Sequence, residues 1–332
     1  MEPTTPWRPA VISPDSHALP ATADALAGLL QDSARTDELL AAHKVLVLSG
    51  FGVGPRELEK IMPLLLPDRL PYVFGNSPRT KVGHNVYTST EYPAEFTISM
   101  HSEMSYAAQW PARLLFYCER AADSGGATPV VDNAAWYRAL DQDVRDAFAG
   151  GLRYTQNLHG GRGLGKSWQD TFETEDRSEV EEYLSRTGAT WQWNARNGLR
   201  VSHVRPATIE HPVTGERLWF NQSDQWHPAT LGDEAAAALM EMLPPEELPQ
   251  SVAFADGSPI PAEHARQVRD RGLEHAVDND WRPGDLMLVD NVQAAHGRRP
   301  FTGDRRILVA MSDHGRSPRR GQPSRAPQEG RR

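Results

Sequence analysis

Hydrophobic positions along this chain change texture near residue 70. Before it, TADALAGLLQDSARTDELLAAH places Leu26, Leu29, Leu30, Leu39 and Leu40 at helical spacing. KVLVLSGF (44–51) is a β-type run ending at a glycine pair around Phe51, and GPRELEKIMPLLL then opens with proline in a first helical turn. That order predicts helices, a strand and another helix. After residue 70 the apolar positions fall into short segments rich in β-branched and aromatic residues and separated by Gly, Pro and Asn. They include LPYVFG, HNVYTST, EFTISMHSE, RLLFYCERA, ATPVVDN, LRYTQNL, ATWQWN, LRVSHV, ERLWFNQ, DLMLVDN and RRILVAMSD.

Helical patterns at 133–149, 178–187, 233–243 and 261–275 interrupt these strands. They do not alternate with them strand by strand, as a parallel doubly wound sheet requires. The pattern therefore predicts a mainly β, α+β protein: one sandwich domain of the jelly-roll kind over 21–314, with helices packed outside it. Residues 1–20 read as an irregular N-terminal segment and 315–332 as a disordered Arg- and Pro-rich tail.

Composition narrows the class. The 332 residues carry a formal charge of −9, which argues against a general nucleic-acid binder. Cys118 is the only cysteine, so neither an internal disulfide nor a thiolate-rich metal site is available. No apolar run approaches a membrane span and the first residues lack a secretory pattern, so a cytoplasmic protein is expected. A homo-oligomer is compatible with this composition.

Metal chemistry enters with His101-Ser102-Glu103, at the end of the strand EFTISM. Residues two apart in a strand share a face, so this imidazole and carboxylate can converge. His296 follows the strand DLMLVDN and a short turn, which would place it at the mouth of the sandwich. Two imidazoles and one carboxylate make the facial triad that holds Fe(II) and leaves positions open. By itself His-x-Glu is also what chance produces among 12 histidines. Nearby, Arg305 and Arg306 open an apolar strand, where a buried guanidinium calls for an anion such as a carboxylate. Thr128, after the Gly125-Gly126 turn, has a hydroxyl able to donate to the same group. Softer candidates for a substrate pocket are His84, Tyr87, Trp219, Asn221 and Arg298, each equally readable as a core or surface residue.

MHSEMSYAAQWPARLLFYCERAADSGGATPVVDNAAWYRAL, HPVTGERLWFNQ and GDLMLVDNVQAAHGRRPFTGDRRILVAM together resemble the TauD/TfdA family of Fe(II)/2-oxoglutarate-dependent oxygenases, in its SyrP-like and clavaminate-synthase-like branch. The resemblance covers roughly residues 40–314. It implies a double-stranded β-helix (cupin-like) core, iron held by His101, Glu103 and His296, and Arg306 with Thr128 on the far carboxylate of 2-oxoglutarate. It implies O2 as oxidant, with release of succinate and CO2, and hydroxylation of an unactivated C–H bond, or desaturation, cyclisation or epoxidation. The small-molecule substrate implied is an amino acid, a carrier-tethered aminoacyl group or a related natural-product intermediate. Glu103 stands where many members have Asp. Its presence disfavours halogenation, which needs that carboxylate missing. Position 310 is Ala where some relatives carry a second arginine for an acidic substrate, so a taurine-like sulfonate is not expected.

Two alternatives compete. GGRGLGKS (160–167) fits the phosphate-binding pattern G-x-x-x-x-G-K-[ST], which read literally makes the chain a P-loop NTPase. The context is wrong for that, so the segment reads instead as a glycine-rich loop over the active site. A non-catalytic jelly-roll protein with a structural metal is the second alternative. It has no need of Arg306 and Thr128.

Overall fold

The protein is described by a computed structural model covering residues 7–70, 79–211, 214–231 and 241–316. The predicted strand LPYVFG, most of the predicted helix 233–243 and almost all of the C-terminal tail lie outside the described residues.

The largest sheet has seven strands. In spatial order they are Ala10–Ile12, Val45–Leu48, Leu286–Asp290, Gln109–Arg120, Arg306–Arg316, Val86–Thr88 and Lys81–Gly83. Its centre is two long strands, Gln109–Arg120 and Arg306–Arg316, which pair antiparallel over most of their length. Strict alternation makes this sheet two-faced. Leu114, Phe116, Cys118, Ile307, Val309 and Met311 point into the sandwich. Leu115, Tyr117, Leu308 and Ala310 point outward, into a second apolar layer beneath the N-terminal helices Ala23–Leu30 and Ser33–His43 and the helix Pro55–Leu65. Leu26, Leu30, Leu40, Leu58 and Ile61 supply the helical side of that layer.

Facing the inner side is a four-stranded sheet of Val277–Asn279, Thr128–Asp132, Ala294–Arg298 and Ile98–His101. Met100, Val130, Val131 and Ala295 join it to the main sheet in one continuous core. The chain is thus mainly β, with two facing sheets in a jelly-roll arrangement and helices outside. A further antiparallel sheet, Thr190–Trp193, Leu199–Arg205, Leu152–Leu158 and Gln250–Phe254, extends the molecule to one side. Among the described residues no helix is long and apolar enough to cross a membrane.

The glycine-rich segment 160–167 follows Leu152–Leu158, whose neighbours on both sides are antiparallel. The helix after it, Trp168–Phe172, has only five residues, and Ser167 caps it by accepting from the Asp170 amide at 3.0 Å. A phosphate-binding loop needs a parallel strand feeding a full helix, so the NTPase reading is corrected. The segment is also absent from the cavity described below, contrary to the expectation that it lies over the site.

Several short strands were not legible in the hydrophobic pattern, Gln250–Phe254 and Ala294–Arg298 among them. Gln250–Phe254 is half-buried throughout, and Ala294–Arg298 is too rich in small and charged residues to read as a strand, though all five are buried. The second of these carries His296.

Candidate metal centre

His296 does not sit at an open mouth. After Leu286–Asp290 the chain turns through Asn291, Val292 and Gln293, crosses to the smaller sheet and pairs antiparallel with Ile98–His101, with His296 directly opposite His101. The two imidazoles stack obliquely, ring centres 4.3 Å apart. Glu103 Oε2 lies 3.9 Å from Nε2 of each. All three residues are buried, and their donor atoms lie within 4.8 Å of one another.

Polar side chains hold this geometry from behind. Asn291, in the turn before the His296 strand, accepts from the Glu103 amide at 2.7 Å. It donates to the Glu103 carbonyl at 3.0 Å and to Pro111 at 2.7 Å. Asn133 donates to Ser102 Oγ at 3.0 Å and to the Val292 carbonyl at 2.8 Å, so the His-Ser-Glu segment and the turn are tied together twice. Gln222 adds a bond to the Ser102 carbonyl at 3.1 Å. Nδ1 of His101 faces the Ser99 carbonyl at 3.0 Å. Gln225 Nε2 lies 2.9 Å from the same Nδ1, and a proton on Nδ1, donated to the carbonyl, would leave the Nε2 lone pair for a metal. Burial holds the imidazole of His101 below the usual histidine range. His296 is held well below it by burial and by the nearby charges of His101 and Arg79. Both rings are therefore neutral near pH 7, the state a metal requires.

One cavity runs from His101 and His296 past Phe116 and Thr128 to Arg305. The sequence expectation assigned the carboxylate clamp to Arg306, and here the structure corrects it. Arg305, one residue before the strand, is in the lining of this cavity, while Arg306 is outside that lining and pairs with Glu119. Arg305 donates to the Gly126 carbonyl at 2.9 Å, to Thr128 Oγ1 at 3.1 Å and to Ser89 Oγ at 3.4 Å. Among the described residues these partners are neutral oxygens, and no carboxylate pairs with it. Burial lowers its pKa to about 10. Gly126 makes this seat: its φ of +73° suits glycine, and a Cβ there would meet Arg305 Cδ at 3.0 Å. The alternation of the strand also moves the argument about Ala310. That residue faces the outer helices, and the inward position four after Arg305 is Val309, which is also uncharged.

The softer candidates disperse. His84 is exposed at a turn, its carbonyl accepting from Arg69 at 3.2 Å. Tyr87 is a buried core residue outside the cavity lining. Trp219 is packed between Trp136 and Phe148, ring centres 6.1 and 5.2 Å away. Asn221 bonds to the Ala207 carbonyl at 2.8 Å and accepts from Ser223 at 3.0 Å. These four are placed away from the pocket. Arg298 does line it, but its guanidinium is committed to the carbonyls of Tyr92, Pro93 and Phe96 at 2.6–2.8 Å.

Sequence reasoning missed Arg79, Asn133, Gln225 and Asn291. Arg79 Nη2 donates to Glu103 Oε2 at 2.7 Å inside the cavity. Gln225 Nε2 lies 3.1 Å from the Ser99 carbonyl, beside His101. Only the short run Asp290-Asn291 before the turn carries a local signal, since Asx residues favour turns.

Comparison with known proteins gives a consistent result. The family profile "Taurine catabolism dioxygenase TauD, TfdA family" matches residues 16–311. The dapdiamide synthesis protein DdaC of Enterobacter agglomerans is 34% identical over 279 residues, 83% of this chain and 84% of that protein. A clavaminate synthase-like protein of Arabidopsis thaliana is 30% identical over 320 residues, 91% and 93% of the two chains. In fold, the chain is similar to the crystal structure of PvcB from Pseudomonas aeruginosa, with a TM-score of 0.51 at 14% identity, covering 92% of this chain and 89% of that one.

Asp224, next to Gln225, offers a test of the packing behind His101. Burial pushes its carboxyl up to about 6, from an ordinary value of 3.8. Below about pH 4 it is protonated folded or unfolded. Above about pH 6 the folded state bears the full cost of a buried charge. Asp224→Asn is therefore expected to raise the thermal midpoint at pH 8, by on the order of 1–3 kcal/mol of stability, and by only about a third of that at pH 4.5, where the unfolded carboxyl is ionised and the folded one is not. Thermal unfolding at the two pH values checks this, and equal shifts at both would contradict it.

Proposed function

The chain belongs to the TauD/TfdA dioxygenase family and is an iron- and 2-oxoglutarate-dependent oxygenase, and from that premise we propose that it oxidises an unactivated C–H bond of an amino acid, a carrier-tethered aminoacyl group or a related natural-product intermediate. We assign the iron to His101, Glu103 and His296, and the far carboxylate of 2-oxoglutarate to Arg305 and Thr128. The observation that carries this reading is the shared cavity: a three-donor metal group at one end, and at the other a buried arginine with no carboxylate partner among the described residues. A structural metal site has no use for that arginine, whose desolvation is costly unless an anion arrives.

The donor set fits iron. Two neutral imidazoles and a carboxylate supply three of the positions that a non-haem Fe(II) centre uses. With 2-oxoglutarate and O2, such a centre supplies the oxidant and yields succinate and CO2. The chain's own contribution is placement. Asn291 and Asn133 hold the ligand-bearing segments at fixed separation, and the Ser99 carbonyl and Gln225 orient the His101 ring from its Nδ1 side. Arg305 and Thr128 fix the co-substrate's long axis along the cavity. Phe116 and Ile307 exclude water from its wall. The amino-acid assignment rests on the likeness to a dapdiamide synthesis protein, and a carrier-bound form on the same likeness.

Anaerobic addition of Fe(II) and then 2-oxoglutarate should produce the weak visible charge-transfer band of a chelated complex. His101→Ala and His296→Ala should lose the band and all 2-oxoglutarate turnover while remaining folded by circular dichroism. A folded wild-type protein without the band would remove the assignment.

The corrected clamp has its own test. Arg305→Ala is expected to weaken 2-oxoglutarate binding by about thirtyfold or more, as loss of a buried charge-assisted pair does. Arg306→Ala should leave it within about threefold. Gly126→Ala should resemble Arg305→Ala in milder form. Titrating the band reads all three, and the reverse ranking of the two arginines would restore Arg306.

A further inference from the structure

Neither the iron nor the co-substrate assignment uses Arg79, which lines the cavity and, unlike Arg298 with its three backbone carbonyls, contacts the carboxylate of Glu103. Its guanidinium and the Glu103 carboxylate are both almost wholly buried, with side-chain exposures of 2% and 4%. Oε2 of Glu103, the oxygen Arg79 contacts at 2.7 Å, is also the one that faces Nε2 of His101 and His296, 3.9 Å from each. An arginine is thus held against the carboxylate oxygen turned toward the metal position.

Charge then determines what happens on loading. Without metal, Arg79 is the counter-ion that a buried Glu103 requires. A divalent cation at Glu103 takes over that duty and repels a neighbouring guanidinium in the same dry cavity. Under the assignment above, the buried charges are two positive from the metal, one negative from Glu103, two negative from 2-oxoglutarate, and one positive each from Arg305, Arg79 and Arg298. The balance is positive by two, and Arg298 is held by the carbonyls of Tyr92, Pro93 and Phe96. Both ends of 2-oxoglutarate are already taken, by the metal and by Arg305 with Thr128. A further carboxylate is therefore favoured in this positive cavity, and Arg79 has the forked donor geometry that suits it.

We propose that Arg79 changes partner, passing from Glu103 in the metal-free protein to a carboxylate of the primary substrate in the loaded one. This rests on the iron and 2-oxoglutarate reading and deepens it. It also supplies, from a different part of the chain, the anion-binding cation missing at the inward position Val309. The substrate class it selects carries a free carboxylate: a free amino acid, or a tethered aminoacyl group with an acidic side chain. A neutral aminoacyl thioester does not satisfy it.

The test is made on purified full-length protein with Co(II), whose visible spectrum reports its ligands without turnover. Arg79→Gln is compared with wild type and with Arg79→Lys, after thermal unfolding has shown all three folded. Three titrations are read: Co(II) alone, 2-oxoglutarate onto the Co(II) protein, and acetate, glycine and the common L-amino acids onto the Co(II)–2-oxoglutarate complex. The expected result for Arg79→Gln is Co(II) affinity unchanged or tighter, 2-oxoglutarate affinity within about threefold, and the response to carboxylates weakened about tenfold or lost. Arg79→Lys should retain part of that response.

A fivefold or greater loss of Co(II) affinity in Arg79→Gln overturns the proposal and makes Arg79 a permanent support of Glu103. A tenfold loss confined to 2-oxoglutarate gives Arg79 to the co-substrate and overturns it equally. So does a carboxylate response that is absent from wild type or identical in the variant. Failure of wild type itself to bind Co(II) or 2-oxoglutarate is a different result, and it removes the functional reading on which the proposal stands.

Discussion

The site depends on one antiparallel pairing. Ile98–His101 and Ala294–Arg298 are nearly two hundred residues apart in the chain, and their register puts His101 and His296 face to face. A slip of one residue would turn His296 to the other face of its strand, because side chains alternate. Asn291 and Asn133 secure the register with bonds that cross from the His-Ser-Glu segment to the turn feeding the His296 strand. Most of the cavity follows from that placement. Phe116 stacks near His296 with ring centres 5.0 Å apart, and Thr128 comes in on the neighbouring strand of the same small sheet.

The second organising constraint is charge in a dry space. Arg79, Arg298 and Arg305 line one cavity between two sheets, and Arg79 reaches from it to Glu103. A buried charge is tolerated only with partners. Arg298 meets this by taking three backbone carbonyls and so pins the segment around Tyr92–Phe96. Glu103 meets it through Arg79. Arg305 has neutral oxygens alone among the described residues, which is the condition of a group built to receive an anion. Phe301 lies beside both Arg298 and Arg305, at 5.1 and 5.6 Å from its ring centre, and lends them the negative face of its π-system.

Much of this was legible in order along the chain. Most of the segments with β-type texture became strands, and the predicted helices near 21–43, 55–65, 133–149, 178–187 and 261–275 are present with small changes of boundary. The strand Ala294–Arg298 escaped because it is a buried inner strand of the smaller sheet and carries small and charged residues in place of an apolar alternation. The softer substrate candidates were chosen by residue type near the motifs, and residue type says nothing about direction. Trp219 is buried against Trp136 of the helix Asn133–Ala139, Asn221 is buried on the Ala207 carbonyl, and His84 is exposed.

From the sequence alone came the fold class, the family resemblance and the three metal-binding side chains, since a His-x-Glu spacing and the motif around His296 are local facts that survive any packing. What only the tertiary structure decided was which of two adjacent arginines enters the cavity, and that Arg79 sits against Glu103. Both are questions of packing. Arg305 and Arg306 are identical in type and adjacent in the chain, and only their packed surroundings separate them: Arg305 meets Gly126 and Thr128 in the cavity, and Arg306 meets Glu119. Arg79 lies far from the metal ligands in sequence, in a segment without periodic signal. Its role emerges only where folding excludes water and a buried carboxylate must find a cation.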